Sequence, residues 1–181
     1  MNNEQILHIE NFISNHTEIM STLLGELPLK QEEINFGYGP VPMPRLISWH
    51  GDKPYKYSGK TFQPSPWTET LISLKSNIEE YSNATFNSVL VNYYRDGKDS
   101  ISWHADDEPE IDNRCIASIS LGGSRSFHMK NNLSGELIKY SLGYGDLFLM
   151  YNCQKTWKHS IPKTKKQVSP RLNLTFRNVI I

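Results

Sequence analysis

The sequence predicts a mainly β protein, a β-sandwich or jelly roll flanked by N-terminal helices. Three observations carry this reading. Helical periodicity is confined to the first half of the chain. After Ser82, short runs rich in β-branched and aromatic residues follow one another. Turn signals, and no helix-length patterns, separate those runs.

Taken in order, Ile6, Ile9, Ile13, Met20 and Leu24 form an apolar stripe that predicts a first helix ending near Gly25. Residues 28–64 are rich in Pro and Gly and predict loops with short strands or hairpins. A second helix is expected from Ser65-Pro66. Ser65 would cap the free N–H groups of its first turn, and Pro66 would sit where no N–H is needed. Its buried face would be Trp67, Leu71, Leu74, Ile78 and Tyr81. Strands are then expected over 86–94, 116–121, 126–130, 136–142, 146–151 and 171–177. The turns between them are marked by Asp96-Gly97, Gly122-Gly123, Asn131-Asn132, Gly143 and Gly145.

Bulk properties bound the answer. A chain of 181 residues suits one domain with a proper core, and 38% hydrophobic with 21% charged residues reads as globular. No apolar run approaches the ~18–20 residues of a membrane span. The N-terminus lacks a basic stretch followed by an apolar one, so no secretory signal is expected. Cys115 and Cys153 read as reduced core thiols of an intracellular protein, by default cytoplasmic, or nuclear in a eukaryote. A monomer is expected. Nineteen basic residues balance nineteen acidic ones, which argues mildly against a life on nucleic acid. The distribution is less even: 155–177 holds seven Lys/Arg and no Asp or Glu, while 106–112 packs five carboxylates into seven residues. Either run could simply be a solvated face.

The chemistry starts at His104-Ala105-Asp106. On an extended strand, residues two apart share a face, so both side chains can reach one metal. His159 lies 55 residues on, after a strand, GDLFLMY, that could fold back beside the pair. Two imidazoles and one carboxylate on one face make the facial triad of non-haem Fe(II) oxygenases. That set leaves about three octahedral positions open, two for a bidentate 2-oxo acid and one for O2. A zinc hydrolase would more often need a general-base Glu and a single open position. His8, His16, His50 and His128 have no comparable context and read as surface or core histidines.

The C-terminal run PRLNLTFR alternates Arg171, Asn173, Thr175 and Arg177 with Leu172, Leu174 and Phe176. By pattern alone, an amphipathic edge strand with its polar face in water is slightly favoured. The other reading turns the arginines inward, where they would be costly unless they met anions. A dicarboxylate such as 2-oxoglutarate supplies two anions suited to guanidinium pairing.

The ordered set TFNSVLVNYYRDG, WHADDE, GDLFLMY, KHSIP and PRLNLTFR resembles the AlkB family of nucleic-acid dealkylases. The likeness runs from about Ile34 to Asn178, some four-fifths of the chain. It implies one Fe(II)/2-oxoglutarate dioxygenase domain over 1–181, with a double-stranded β-helix (jelly-roll) core and N-terminal helices. Residues 28–64 would form a nucleotide-recognition lid.

By that resemblance His104, Asp106 and His159 hold iron. Arg171 would clamp the distal carboxylate of 2-oxoglutarate, aided by Tyr94 and Asn173, with Arg177 and Asn92 near its 1-carboxylate. The implied reaction is oxidative removal of an alkyl group from a base nitrogen, consuming O2 and 2-oxoglutarate. Lesions such as 1-methyladenine and 3-methylcytosine in single- or double-stranded DNA are the implied substrates, with RNA or a protein side chain as alternatives. In the segment 34–59, Tyr55, Tyr57 and Ser58 would meet a flipped base. Asp107 and Glu108 would favour the cationic, damaged base. Phe36 is either a hydrophobic finger filling the gap in a duplex or a buried lid residue. The basic run 155–166 would contact phosphates, or serve only solubility.

Overall fold

Beyond residue 85 the sequence offers strands without helices, and such strands must bury their apolar faces against one another. The computed structural model shows how. It describes residues 4–35, 37, 39–57 and 60–180, excepting the side chains of residues 35, 55–57, 60 and 62. The first half runs β1 (Gln5–Ile9), α1 (His16–Glu26), β2 (Glu33–Asn35), β3 (Pro40–Pro42), β4 (Leu46–Gly51), β5 (Tyr55–Tyr57), β6 (Lys60–Phe62) and α2 (Glu69–Ser82). The second half is all strand: β7 (Ser88–Tyr94), β8 (Ile101–His104), β9 (Ile116–Gly122), β10 (Arg125–Asn131), β11 (Leu137–Leu142), β12 (Asp146–Tyr151), β13 (Trp157–Ile161) and β14 (Arg171–Arg177).

These strands form a six-stranded sheet, β1-β12-β9-β14-β7-β4, and a four-stranded sheet, β11-β10-β13-β8, with antiparallel pairing throughout. Two cores result. Leu23, Leu71, Leu74 and Ile78 of the helices pack with Ile119, Leu149, Leu172 and Phe176 on one face of the large sheet. On its other face, Trp49, Tyr94, Phe148 and Met150 pack with Phe127, Met129 and Ile161 of the small sheet. The large sheet is therefore covered on both faces, and the helices stand outside the sandwich. Among the described residues, no helix is long and apolar enough to cross a membrane.

Two expectations need correction. The apolar stripe at the N-terminus is not one helix: Ile6 and Ile9 lie on β1, which pairs with β12 some 140 positions away. Only the later part is helical, and there Leu23 is buried while Leu24 is exposed. The second helix begins later than Ser65-Pro66. Ser65 N–H donates to Trp49 C=O at 2.8 Å, and the Pro66 carbonyl meets His50 Nδ1 at 2.7 Å, so both are tied to β4. Thr68 caps α2 instead, accepting from Leu71 N–H at 3.2 Å, and Tyr81 faces solvent at 52% exposure. The expectation of loops with short strands or hairpins over 28–64 holds. β2 with β3 and β5 with β6 are short hairpins, but β4 is a strand of the large sheet, with Trp49 and His50 buried.

The thiols of Cys115 and Cys153 are free and buried. Burial pushes them up to about 11 and about 12. Neither thiol should react with a disulfide reagent at pH 8 until the chain is unfolded, and rapid labelling of the native protein would contradict this placement. A second expectation concerns Gly145, at φ +91, whose amide bonds tie the β11–β12 turn to Ile13 and Ser120. A methyl there would overlap the Ile13 carbonyl. Gly145→Ala should lower stability in urea by at least about 2 kcal/mol. Gly25→Ala, in an open stretch of α1, should raise it by up to about 1 kcal/mol.

Candidate metal centre

The site is built where the two sheets face each other. β13 pairs with β8 so that His159 lies directly opposite His104. The strand that folds back beside the His-x-Asp pair is thus β13; the GDLFLMY strand, β12, belongs to the other sheet. β8 ends at His104, and Asp106 enters the site from the turn just beyond it. One ligand atom from each of His104, Asp106 and His159 lies within 4.8 Å of the others, as a single metal ion requires. The imidazoles are held edge to face, with centroids 4.2 Å apart, and His159 stacks on Phe127 at 5.3 Å. His104 Nδ1 lies 2.8 Å from the Ser102 carbonyl. A proton on Nδ1 satisfies that contact and leaves the Nε2 lone pair for a metal. His159 Nε2 lies 4.0 Å from Asp106 Oδ2.

The protonation states suit ligation. Burial drives His104 below the ordinary imidazole range, against the pull of Asp106 and the Ser102 carbonyl. Burial and the neighbouring His104 lower His159 to about 3. Burial alone would raise the Asp106 carboxyl, but Arg177, His159 and His104 hold it at about 2. The site therefore offers two neutral imidazoles and one carboxylate, the forms that bind a cation.

β14 decides the second half of the site. All seven of its residues are buried, because it runs between β9 and β7 in the middle of the large sheet. The edge-strand reading, with a polar face in water, is overturned. Leu172, Leu174 and Phe176 turn to the helices. Arg171, Asn173, Thr175 and Arg177 turn to the cavity between the sheets, which Asn92, Tyr94 and the three metal-site residues also line. Arg177 Nη2 donates to Asp106 Oδ1 at 2.5 Å. Arg171 lies opposite Tyr94 in the register, its guanidinium carbon 5.6 Å from the ring centroid. Arg171 Nη2 donates to Ser120 Oγ at 2.7 Å, while its buried Nε and Nη1 have no acceptor among the described residues. Burial lowers this guanidinium to about 10, still charged at neutral pH.

Asn173 is committed to the cavity wall. Its amide donates to Ser118 Oγ at 2.7 Å and to Ile119 C=O at 3.1 Å, and its Oδ1 accepts from Thr175 at 3.1 Å. Asn92 Oδ1 accepts from Arg45 Nε at 2.7 Å. Asp107, exposed, and Glu108, half-buried, sit on the turn after Asp106 and do not line the cavity. Phe36 and Ser58 lie outside the described residues; Tyr55 and Tyr57 lie on β5, with their side chains outside the description.

Two residues of the site were missed in the sequence. Arg45, 3% exposed, adds a third guanidinium to the cavity. The signal was its place in PMPRLISW, a charge set directly before a buried strand. Gln154, 1% exposed, accepts the Asp106 backbone N–H at 3.1 Å and so ties the turn before β13 to the loop carrying Asp106. Nothing in the sequence marks it. With Arg45, Arg171 and Arg177 against Asp106 alone, the lining carries a formal excess of two positive charges before any metal binds. Such a cavity can hold a dianion beside a divalent cation.

The comparisons with known proteins agree with this chemistry. The model of the 2OG-Fe(II) oxygenase superfamily matches residues 5–177. Alpha-ketoglutarate-dependent dioxygenase alkB homolog 3 of Mus musculus is 40% identical over 178 residues, covering 89% of this chain and 60% of that protein. DNA oxidative demethylase ALKBH2 of Bos taurus is 37% identical over 150 residues, covering 76% of this chain and 54% of that protein. The chain thus spans about 60% of the length of the first of these relatives and about 54% of the second. The structure of OsALKBH1 shares the fold, with a TM-score of 0.71 at 16% identity over 96% of this chain and 97% of that one. The family's cofactor and co-substrate, Fe(II) and 2-oxoglutarate, fit the donor set and the Arg171 guanidinium N–H groups that no protein acceptor meets. On this fold, this site and these likenesses, the chain belongs to the 2OG-Fe(II) oxygenase superfamily, with alkB homologues as its relatives.

Proposed function

We propose that this chain oxidatively removes alkyl groups from nucleobase nitrogens in nucleic acid, using Fe(II), 2-oxoglutarate and O2. The observation that carries the reading is the juxtaposition of the facial triad with the buried Arg171 guanidinium, whose Nε and Nη1 meet no acceptor among the described residues. The names of the alkB-type relatives support nucleic acid as the substrate class.

His104, Asp106 and His159 would hold the iron. Bound there, iron supplies the activation of O2 that no side chain can perform. The protein's own part is to bind, orient and keep dry. Arg171 would pair with the distal carboxylate of 2-oxoglutarate while Tyr94 packs on the guanidinium and Ser120 fixes it from behind. Arg177 keeps Asp106 ionised and oriented through their bond. Asn92, fixed by Arg45, and Asn173, fixed by Ser118, shape the wall. Phe127, Met150 and Ile161 complete the lining and limit the access of water. The lid within 28–64, with Phe36, Tyr55, Tyr57 and Ser58, would receive the base. Asp107 and Glu108, on the turn past the site, would favour the positively charged 1-methyladenine or 3-methylcytosine over normal bases.

The test is mass spectrometry of oligonucleotides carrying either lesion, incubated with protein, Fe(II), ascorbate and 2-oxoglutarate. Loss of the methyl group with equimolar succinate is expected, and parallel single-stranded, duplex and RNA substrates rank the preference. Untouched lesions in all three would overturn the proposal. Removing Arg171 deletes charge-assisted hydrogen bonds worth roughly 1.5–3 kcal/mol. Arg171→Ala should therefore raise the KM for 2-oxoglutarate by roughly 10- to 100-fold. An unchanged KM would refute the assignment. Asp106→Ala should abolish both turnover and Fe(II) retention after gel filtration.

A further inference from the structure

Apart from the cavity, the most uneven chemistry of the molecule lies on the outer face of the small sheet. Phe127 and Met129 of β10 point into the core between the sheets, so Ser126, His128 and Lys130 point the other way. In the register, Lys139 of β11 stands beside His128, and Lys158 of β13 stands beside Lys130. Cross-strand neighbours share a face, so three lysines and a histidine share this one. Lys130 and Lys158 are like charges directly opposite each other, an arrangement that costs stability unless an anion lies between them. Among the described residues, none at the outward positions of these strands is acidic.

An aromatic residue completes the face. Trp103 is 45% exposed, and its ring lies 6.3 Å from that of His128 across the sheet. It adjoins His104 on β8, the edge strand of the small sheet. His104 is also the least buried of the three metal-site residues. The cavity and the outer face are thus the two sides of one edge. A chain whose target base entered the cavity could turn around β8, stack a neighbouring base on Trp103 and lay its phosphates along the lysines.

We propose that the outer face of the small sheet, with Trp103, His128, Lys130, Lys139 and Lys158, is a docking track for the single strand of nucleic acid that flanks the target base. The proposal rests on the nucleic-acid reading of the cavity and extends it to a surface outside the lid. Charge complementarity selects a polyanion. The exposed indole at the edge selects one with flat bases, since stacking tolerates any sequence.

The test compares the wild-type chain with Lys130→Ala/Lys139→Ala, two changes on strands that carry no metal-site residue. Binding of an unmodified single strand of about 20 nucleotides is measured as a function of salt. Each phosphate contact on a single strand contributes about 0.7 to the slope of log K against log salt. The double variant should have a slope shallower by about 1.4, while its turnover of an alkylated trinucleotide stays at the wild-type level. The same strand should quench tryptophan emission, and Trp103→Phe should lose that quenching. An unchanged salt slope, or quenching that survives in Trp103→Phe, overturns the track. A wild-type chain that shows both binding signatures but dealkylates nothing supports the track and overturns the proposed reaction.

Discussion

The site depends on one electrostatic constraint: three guanidinium groups, of Arg45, Arg171 and Arg177, line the cavity between two sheets, and among the described residues one carboxylate, that of Asp106, lines it with them. Buried cations of this kind destabilise a fold unless anions or strong hydrogen bonds meet them. Arg45 is met by Asn92 and Arg177 by Asp106, and Arg171 Nε and Nη1 have no acceptor among the described residues. The fold tolerates this because the large sheet is anchored from behind by the helix-side core, which does not depend on the cavity being filled. A dianion would offset the charge of a divalent metal and give Arg171 Nε and Nη1 the acceptor that the described protein residues do not supply.

From that constraint the positions of the strands make sense. β14 lies between β9 and β7, and there it presents a polar face to the cavity and an apolar face to the helices. β13 must pair with β8, since that register sets His159 opposite His104. The same pairing has a consequence on the reverse side of the sheet: each residue next to an inward ligand points outward. Trp103 and Lys158 are those neighbours, and they put an aromatic ring and a charge on the opposite surface. Chemistry inside and charge outside are linked by the two-residue period of a strand.

Much of this was legible in the sequence. The triad could be read because His-x-Asp and a distant His are distinctive residue types, and all six expected late strands were bracketed to within two residues. The alternation of 171–177 was legible too, but which face was wet was not. Alternation reports two faces and says nothing of what covers each. β1 was misread because a strand that pairs with β12 across most of the chain leaves no local mark, and its isoleucines fall at helical spacing by coincidence. β8 and β13, four and five residues long, were too short to stand out. Arg45 and Gln154 escaped notice because their importance lies in what they touch: one holds Asn92, the other the backbone of Asp106.

In the proposed reaction, metal and 2-oxo acid bind as one unit, with Arg171 as the anchor for the far carboxylate. Anaerobic calorimetry measures this directly, by titrating 2-oxoglutarate into the protein with and without Mn(II), for wild type and Arg171→Lys. The wild type with metal should show one tight site per chain, and binding should weaken markedly when either the metal or the guanidinium fork is removed. Equal affinity in all four titrations would contradict it.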